Sequence, residues 1–269
     1  MQILDQGLEF DAFFEQLRGA KHALLLSDYD GTLAPFHIRP ERAKPYPGVR
    51  ECLDAVSAGG RTRLVVVSGR HAHELAPLLQ LREPVEIWGC HGWERLLPNG
   101  SCESPQIPEA ARAGLYAAAA QAAAAVAGMK SDGQHARIER KTTSVAVHWR
   151  GMAPEVAQQV RQAVATAWAP LERELWFGIC DFDGGIELRL SGRTKGDAVT
   201  TALAESGPGT VAAYLGDDLT DEDAFRAIAG KGLGVLVRGE RRPSVAGAWI
   251  RPPEGITDFL GRWHRTREG

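Results

Sequence analysis

The sequence predicts an α/β core of parallel strands interrupted by an α+β module, and three observations carry that expectation. Short continuous apolar runs alternate with segments of helical spacing, as βαβ units require. The alternation stops after Asn99-Gly100 and resumes after about Ser191. Between these points the order is helix, hairpin, helix, hairpin. The expected organisation is therefore a core of residues 1–100 and 191–269, with residues 101–190 inserted into it.

Each element has a local reason. Leu8, Phe13, Phe14 and Leu17 space a short amphipathic helix. Ala23–Leu26 is a continuous apolar run, the pattern of a buried strand in a parallel sheet. Four prolines between 35 and 47 make the next stretch a loop. Val49–Ala58 has helical spacing and stops at Gly59-Gly60. Leu64–Val67 and Val85–Trp88 are two more buried strands, with a helix over His71–Leu81 between them. In the insertion, Pro108–Gly128 is an alanine-rich helix. Arg137–Lys141 and Ser144–Trp149 form a hairpin, and Pro154–Trp168 is a helix with Pro170 just beyond it. Leu175–Cys180 and Gly185–Leu190 form a second hairpin around Asp181–Gly184. The core pattern then returns: helix Lys195–Glu205, strand Val211–Leu215, helix Asp221–Ala229 and strand Gly232–Val237. A final helix, capped by Thr257, runs to Arg265.

The chain has 269 residues, 44% hydrophobic and 24% charged, enough to bury a core without disulfides or a structural metal. Its 31 Lys and Arg against 34 Asp and Glu give a net charge of −3. That predicts no nucleic-acid partner, because polyanion affinity rests on clustered cations. The cysteines, Cys52, Cys90, Cys102 and Cys180, form no CxxC pair and match neither a zinc site nor a disulfide framework. No basic region followed by an apolar core opens the chain. The uncharged stretch Ala113–Met129 is mostly alanine and gains too little from lipid to span a bilayer. The expected location is the cytoplasm, with no membrane partner.

Polar clusters sit where the apolar runs end: Asp28-Tyr29-Asp30-Gly31-Thr32, Ser68-Gly69-Arg70, and Gly216-Asp217-Asp218-Leu219-Thr220-Asp221-Glu222. Thr194-Lys195-Gly196 opens a helix instead. Open α/β sheets bind ligands at the rim formed by the C-terminal ends of their strands. Asp28 and Asp30, two apart, lie on one side of an extended chain. Two carboxylates that close raise each other's pKa unless a cation intervenes. Asp217 and Asp218 arrive from a second strand end. Oxygen ligands of this kind suit Mg²⁺, and the ion would draw a phosphate into an otherwise acidic site. Lys195 and Ser68 supply a cation and a donor for phosphoryl oxygens. Taken alone, Asp221 and Glu222 are helix-start acids, and the three arginines of Arg238–Arg242 are a solvated face.

These residues resemble the haloacid dehalogenase superfamily, in its phosphatase branch with a cap inserted between the second and third motifs. Motif one is Asp28-Tyr29-Asp30-Gly31-Thr32-Leu33, motif two Ser68, motif three Lys195 and motif four Gly216-Asp217-Asp218. Within that superfamily the chain is similar to trehalose-6-phosphate phosphatases. VVVSGR at Val65–Arg70, HGWE at His91–Glu94, ERK at Glu139–Lys141 and GDDLTDED at Gly216–Asp223 carry that likeness. The Glu-x-Arg-Pro that often precedes motif three reads Glu187-Leu188-Arg189-Leu190 here.

The resemblance implies a Rossmann-like parallel-sheet core with an α+β cap that selects the substrate. It implies that Asp28 is the nucleophile, forming an aspartyl phosphate, and that Asp30 is the general acid and base. It assigns Ser68 and Lys195 to the phosphate. Mg²⁺ would be held by Asp28, the backbone carbonyl of Asp30 and Asp217, with Asp218 beside or behind it. Glu139, Lys141, Glu222, His91 and Arg70 are the candidates for the rest of the substrate. Glu139 and Lys141 lie two apart on a predicted strand and so share a side. The implied reaction is hydrolysis of trehalose 6-phosphate to trehalose and phosphate, with trehalose-6-phosphate synthase as pathway partner. The length leaves no room for a synthase domain in these 269 residues. The alternatives are a phosphatase for sucrose 6-phosphate or a glucosyl- or mannosyl-glycerate phosphate, and a non-catalytic sugar-phosphate-binding regulator. The sequence leaves the oligomeric state open.

Overall fold

The computed structural model describes residues 2–4, 10–37, 39–131, 133–173 and 176–268. The expectations for Leu8 and for Leu175, the start of the second hairpin, lie outside the described residues. The chain divides into two compact units: Met1–Ser104 with Thr194–Gly269, and Pro105–Arg193.

The larger unit begins with β1 (Gln2–Ile3), α1 (Phe10–Gly19), β2 (His22–Ser27), α2 (Val49–Ala58), β3 (Thr62–Val67), α3 (Ala72–Leu79) and β4 (Glu86–Gly89). Two short strands follow, β5 (Glu94–Leu96) and β6 (Cys102–Glu103). The smaller unit holds α4 (Glu109–Ala125), β7 (Lys130–Ser131), β8 (Gln134–His135), β9 (Arg137–Arg140), β10 (Ser144–His148), α5 (Pro154–Glu172), β11 (Phe177–Phe182) and β12 (Gly185–Leu190). The larger unit resumes with α6 (Lys195–Ser206), β13 (Thr210–Gly216), α7 (Glu222–Ile228), β14 (Gly232–Val237), β15 (Ala248–Ile250) and α8 (Glu254–Glu268).

The main sheet runs β1-β15-β14-β13-β2-β3-β4-β5-β6. From β15 to β4 every pairing is parallel, as the continuous apolar runs predict. Its flanks are antiparallel: β1 on one edge, β5 and β6 on the other. Those edge strands are too short for a period-2 pattern to announce them. Both faces of the sheet are covered. Leu25 and Val66 point into a core shared with α1, α2, α3 and α8, while Leu24, Leu26, Val65 and Val67 point into one shared with α6 and α7. Neighbouring residues facing opposite layers explain why these strands are apolar throughout.

In the smaller unit the sheet order is β11-β12-β10-β9, all antiparallel. Helices α4 and α5 cover one face, with Ala118, Ala122, Val164 and Trp168 fully buried, as are Val147 and Leu188 on the sheet. The Trp168 indole donates to the Ala118 carbonyl at 2.9 Å. Helix α5 passes through Pro170 rather than stopping before it. Proline removes one backbone hydrogen bond, but Leu171 extends the buried stripe of Val160, Val164 and Trp168 by another turn and holds the helix end in place. The second hairpin is also tighter than expected. Phe182 still pairs with Gly185, leaving a two-residue Asp183-Gly184 turn with Gly184 at φ 83°. Thr257 is inside α8, not at its cap, and its hydroxyl donates back to Glu254. No helix among the described residues is long and apolar enough to cross a membrane.

Candidate active site

Four adjacent segments of the larger unit build the site. β2 lies between β13 and β3, and the ladder with β13 continues one residue beyond Ser27, where the Asp28 amide donates to the Leu215 carbonyl at 2.8 Å. Asp28 therefore leaves the sheet beside Asp217, which follows β13, while Ser68 follows β3 on the other side. The chain turns sharply after Asp28: Leu33 and Ala34 amides both donate to the Tyr29 carbonyl. Gly31 sits at φ 83°, and a Cβ there would overlap the Asp217 carboxylate. The glycine of the Asp-x-Asp-Gly-Thr motif is thus required twice, for the turn and for the approach. Thr32 places its hydroxyl 3.3 Å from Asp28 Oδ2 and 3.4 Å from Asp217 Oδ1.

Lys195 opens α6, whose start is fixed by a capping box between Thr194 and Asp197. A lysine at a helix start is normally solvated, yet this one is buried. Its Nζ donates to Asp28 Oδ1 at 2.7 Å and to Asp221 Oδ1 at 2.8 Å. Asp221 also accepts from the Tyr214 hydroxyl at 2.5 Å and from the Asp217 and Asp218 amides at 3.0 Å each. Sequence reasoning takes Asp221 for a helix-start acid. Here its fully buried carboxylate joins the ends of β13 and α6, and its ligand atoms cluster with those of Asp28 and Asp217 within 4.8 Å. The signal that could have found it is the adjacent Asp217-Asp218 pair, whose amides need a nearby acceptor once the strand ends.

Asp218 is placed differently. Its carboxylate caps the turn after β13, accepting from the Leu219 amide at 2.7 Å. The third member of the carboxylate cluster is Asp221, not Asp218.

The charges do not balance within the cluster. Burial pushes the Asp28 carboxyl up, Lys195 opposes this, and Asp221 adds to it. Burial raises Asp217 well above the carboxylate range, and Asp28, Asp221 and Asp218 raise it further. Burial alone would lower Lys195, but Asp221 and Asp28 override it and keep the ammonium charged. Three carboxyl groups share the Lys195 ammonium and Arg238, whose Nη1 is 3.9 Å from Asp217 Oδ2, and form an all-oxygen donor set that fits a hard divalent cation such as Mg²⁺.

The remaining candidates in the larger unit have partners of their own. Arg70 grips Asp30 in a bidentate pair, Nε to Oδ2 and Nη2 to Oδ1, both at 2.6 Å. Its Nη1 also donates to the Pro40 carbonyl. The structure thus joins Arg70 to the expected acid and base. The Ser68 hydroxyl oxygen accepts from the Arg70 amide at 3.2 Å. His91 is buried at φ 56°, its amide donates to the Ser68 carbonyl, and a Cβ on Gly69 would strike its imidazole. Glu222 is paired with Arg242 and accepts from the Val245 amide at 3.0 Å.

Of the three arginines after β14, Arg241 is exposed, but Arg238 and Arg242 are not part of a solvated face. Arg242 donates to the Asp217 carbonyl at 3.2 Å and the Asp218 carbonyl at 2.6 Å, and Arg238 donates to the Asp217 carbonyl at 3.3 Å. They brace the loop that carries Asp217. No spacing rule links residues 238–242 to residue 217, so the pattern could not show it.

In the smaller unit, register puts Glu139, Ala146, Glu187 and Cys180 in one row across the sheet. With the two-residue repeat, that face also carries Lys141, Ser144 and His148. It is opposite the face packed on α4 and α5. Glu139 pairs with His148 Nε2 at 2.7 Å. Glu187 accepts from Lys141 Nζ at 3.0 Å and from the Ser144 hydroxyl at 2.7 Å. Glu139 and Lys141 are legible in the ERK motif, whereas their partners His148 and Glu187 are joined to them only by the strand register.

The family model described as trehalose-phosphatase matches residues 26–246. The chain belongs to the trehalose-phosphatase family. It is 32% identical over 257 residues to a trehalose-phosphate phosphatase of Mycobacterium bovis, covering 91% of this chain and 62% of that protein. It is 34% identical over 259 residues to an uncharacterised glycosyl hydrolase of Mycobacterium tuberculosis, covering 91% of this chain but 18% of that protein. The chain thus spans less than two thirds of the length of these relatives. The C-terminal domain of a Candida albicans trehalose-6-phosphate phosphatase shares the fold, with a TM-score of 0.81 at 20% identity, covering 98% of this chain and 99% of that one.

Proposed function

We propose that this trehalose-phosphatase family member is a magnesium-dependent phosphoric monoester hydrolase acting on trehalose 6-phosphate through an aspartyl phosphate. The observation that carries the reading is the buried cluster in which Lys195 pairs with both Asp28 and Asp221 while the Asp217 carboxylate crowds in beside them. Asp28, the Asp30 carbonyl and Asp217 would hold Mg²⁺. Bound there, the ion supplies the positive charge that lets a phosphoryl group approach the carboxylates.

The residues then divide the reaction. Asp28 attacks phosphorus, forming the P–O bond of the aspartyl phosphate as the bond to the sugar oxygen breaks. Asp30 gives that oxygen a proton. Lys195 and Ser68 stabilise the phosphoryl oxygens. Asp30 next takes a proton from water, which attacks phosphorus, frees phosphate and restores the Asp28 carboxylate. Splitting one displacement into two lowers each barrier. Arg70 sets the orientation of the Asp30 carboxylate. Glu139 and Lys141 recognise sugar hydroxyls, a carboxylate accepting from them and an ammonium donating. The reaction is cytoplasmic, and a trehalose-6-phosphate synthase supplies the substrate.

The test is phosphate release from trehalose 6-phosphate, sucrose 6-phosphate, glucosyl- and mannosyl-glycerate phosphates and an aryl phosphate, with and without Mg²⁺. Preference for trehalose 6-phosphate supports the reading. Preference for another sugar phosphate would move the specificity and leave the chemistry. Absence of release from every substrate would return the chain to a sugar-phosphate-binding regulator.

A further inference from the structure

The larger unit contains a second cluster of ligating side chains, which the phosphatase chemistry does not use. His71 follows the Ser68-Gly69-Arg70 segment and immediately precedes α3. Cys90 and Glu94 lie on the segment that leaves β4 and enters β5. The His71 Nδ1 atom is 2.8 Å from Glu94 Oε1 and 3.4 Å from Cys90 Sγ, and the three ligand atoms lie within 4.8 Å of one another.

The backbone is shaped to bring them together. Gly89 lies so near the start of α3 that a Cβ there would meet the Ala72 amide and the Arg70 carbonyl. Cys90 and His91 are both in the left-handed region, at φ 49° and 56°, which few residues other than glycine adopt. Such backbone strain gathers where side-chain placement matters. The Cys90 amide donates to the Arg70 carbonyl at 2.7 Å, so the thiol is fixed against the motif-two segment. Cys90 is buried, the Glu94 side chain is 11% exposed and the His71 side chain 25%, so the cluster opens to solvent on the imidazole side.

We propose that His71 Nδ1, Cys90 Sγ and Glu94 form a cation site for a borderline-soft divalent ion of the Zn²⁺ type. One nitrogen, one sulfur and one carboxylate oxygen are the donors such an ion takes, whereas Mg²⁺ takes oxygens alone. Zinc bonds to nitrogen and oxygen run about 2.0–2.2 Å and to sulfur about 2.3 Å, so tetrahedral neighbours sit roughly 3.3–3.6 Å apart. The imidazole and thiol are already at that spacing. The His71–Glu94 pair opens by about half an ångström to admit the ion, with water as fourth ligand on the exposed side. Binding releases the thiol proton, because the thiolate is the ligand. A filled site ties the segment carrying Ser68 and Arg70 to the loop after β4.

The experiment titrates the full chain with Co²⁺ in excess Mg²⁺, which competes for the all-oxygen cluster. Thiolate-to-cobalt absorption in the near ultraviolet and the visible bands of a four-coordinate ion report this site and not a cluster of carboxylates. One equivalent with both signatures is expected. Cys90→Ser should abolish the thiolate band, while Cys102→Ser and Asp217→Asn keep it. Because Cys90 is buried, His71→Ala, at the exposed edge, provides the second variant, with Co²⁺ affinity falling about 10-fold or more. The absence of a thiolate band in the unmodified protein, its persistence in Cys90→Ser, or unchanged Co²⁺ affinity in His71→Ala would each overturn the proposal.

Discussion

Two groups of buried or half-buried carboxylates, one in each unit, are tuned in opposite directions. At the end of β2, Asp28 and Asp217 are pushed up, because burial and neighbouring carboxylates outweigh Lys195. On the polar face of the smaller sheet, burial would also raise Glu139. The hydrogen bond from His148 and the charges of Lys141, His148 and Arg137 win instead and hold it down at about 2. The difference lies in the local count of cations. In the larger unit the carboxyls outnumber the cations beside them, the condition under which the proposed metal would bind. The smaller unit satisfies its carboxylate with its own side chains, leaving a set of fixed donors and acceptors that suits neutral hydroxyls. The same chemical group thus titrates in opposite directions according to what surrounds it.

The comparison breaks most sharply at Asp28. Asp28→Asn removes the proposed nucleophile and one proposed oxygen ligand, and phosphate release should fall at least ~10³-fold. Chelation of the unmodified protein should cause a loss of the same order, reversed by Mg²⁺. Full turnover in excess chelator would mean that the surplus charge is not there to hold a metal.

Asp30→Asn sharpens the role of its neighbour. A sugar oxygen needs a proton as it leaves and an aryl oxygen does not, so the acid should contribute about 10²–10⁴-fold on the sugar phosphate only. Single-turnover measurement on both substrates checks this; equal losses would remove Asp30 from the acid role.

In the smaller unit, Glu139→Ala or Lys141→Ala should cost kcat/KM about 10–150-fold on trehalose 6-phosphate, the loss of one charged hydrogen bond at about 1.5–3 kcal/mol. An aryl phosphate should be spared. Equal losses on both substrates would indicate damage to the fold rather than to recognition.

Arg242→Ala tests whether the brace beneath Asp217 matters to the metal. The Mg²⁺ concentration for half-maximal activity should rise roughly 10-fold, in line with loss of an outer partner, with maximal turnover less affected. An unchanged Mg²⁺ requirement would reduce Arg242 to a partner of Glu222.

The smallest effect concerns acid stability. A carboxyl held below its unfolded value stabilises the fold above that value and loses the contribution as pH falls through the folded one. For Glu139 the window runs from about 4.5 down to about 2. Unfolding curves across it should fall more gently for Glu139→Gln than for the unmodified chain. Parallel curves would show that the cations around Glu139 do not stabilise the fold.

Elements whose signal is local are legible in the amino-acid order. Val49–Ala58 is helical over its expected span because its apolar spacing and the glycines after it act within one turn. The apolar runs of β2, β3 and β13 declare strands buried on both faces, and the Asp28-x-Asp30-Gly31-Thr32 spacing marks the turn that must follow β2. Tertiary structure decided what depends on distance in space. Asp221 and Asp218 are three residues apart and carry the same side chain, but only Asp221 is directed toward Lys195, because it receives the two amides left unpaired where β13 ends. Arg242 meets the Asp217 carbonyl across 25 positions, and Glu187 meets Lys141 across 46. His71, Cys90 and Glu94 have no metal-binding spacing in the chain and converge because Gly89 lets the loop after β4 close on the start of α3. Secondary structure is written in contacts three or four residues long, whereas a charge acquires its role from neighbours that only the folded sheet assembles.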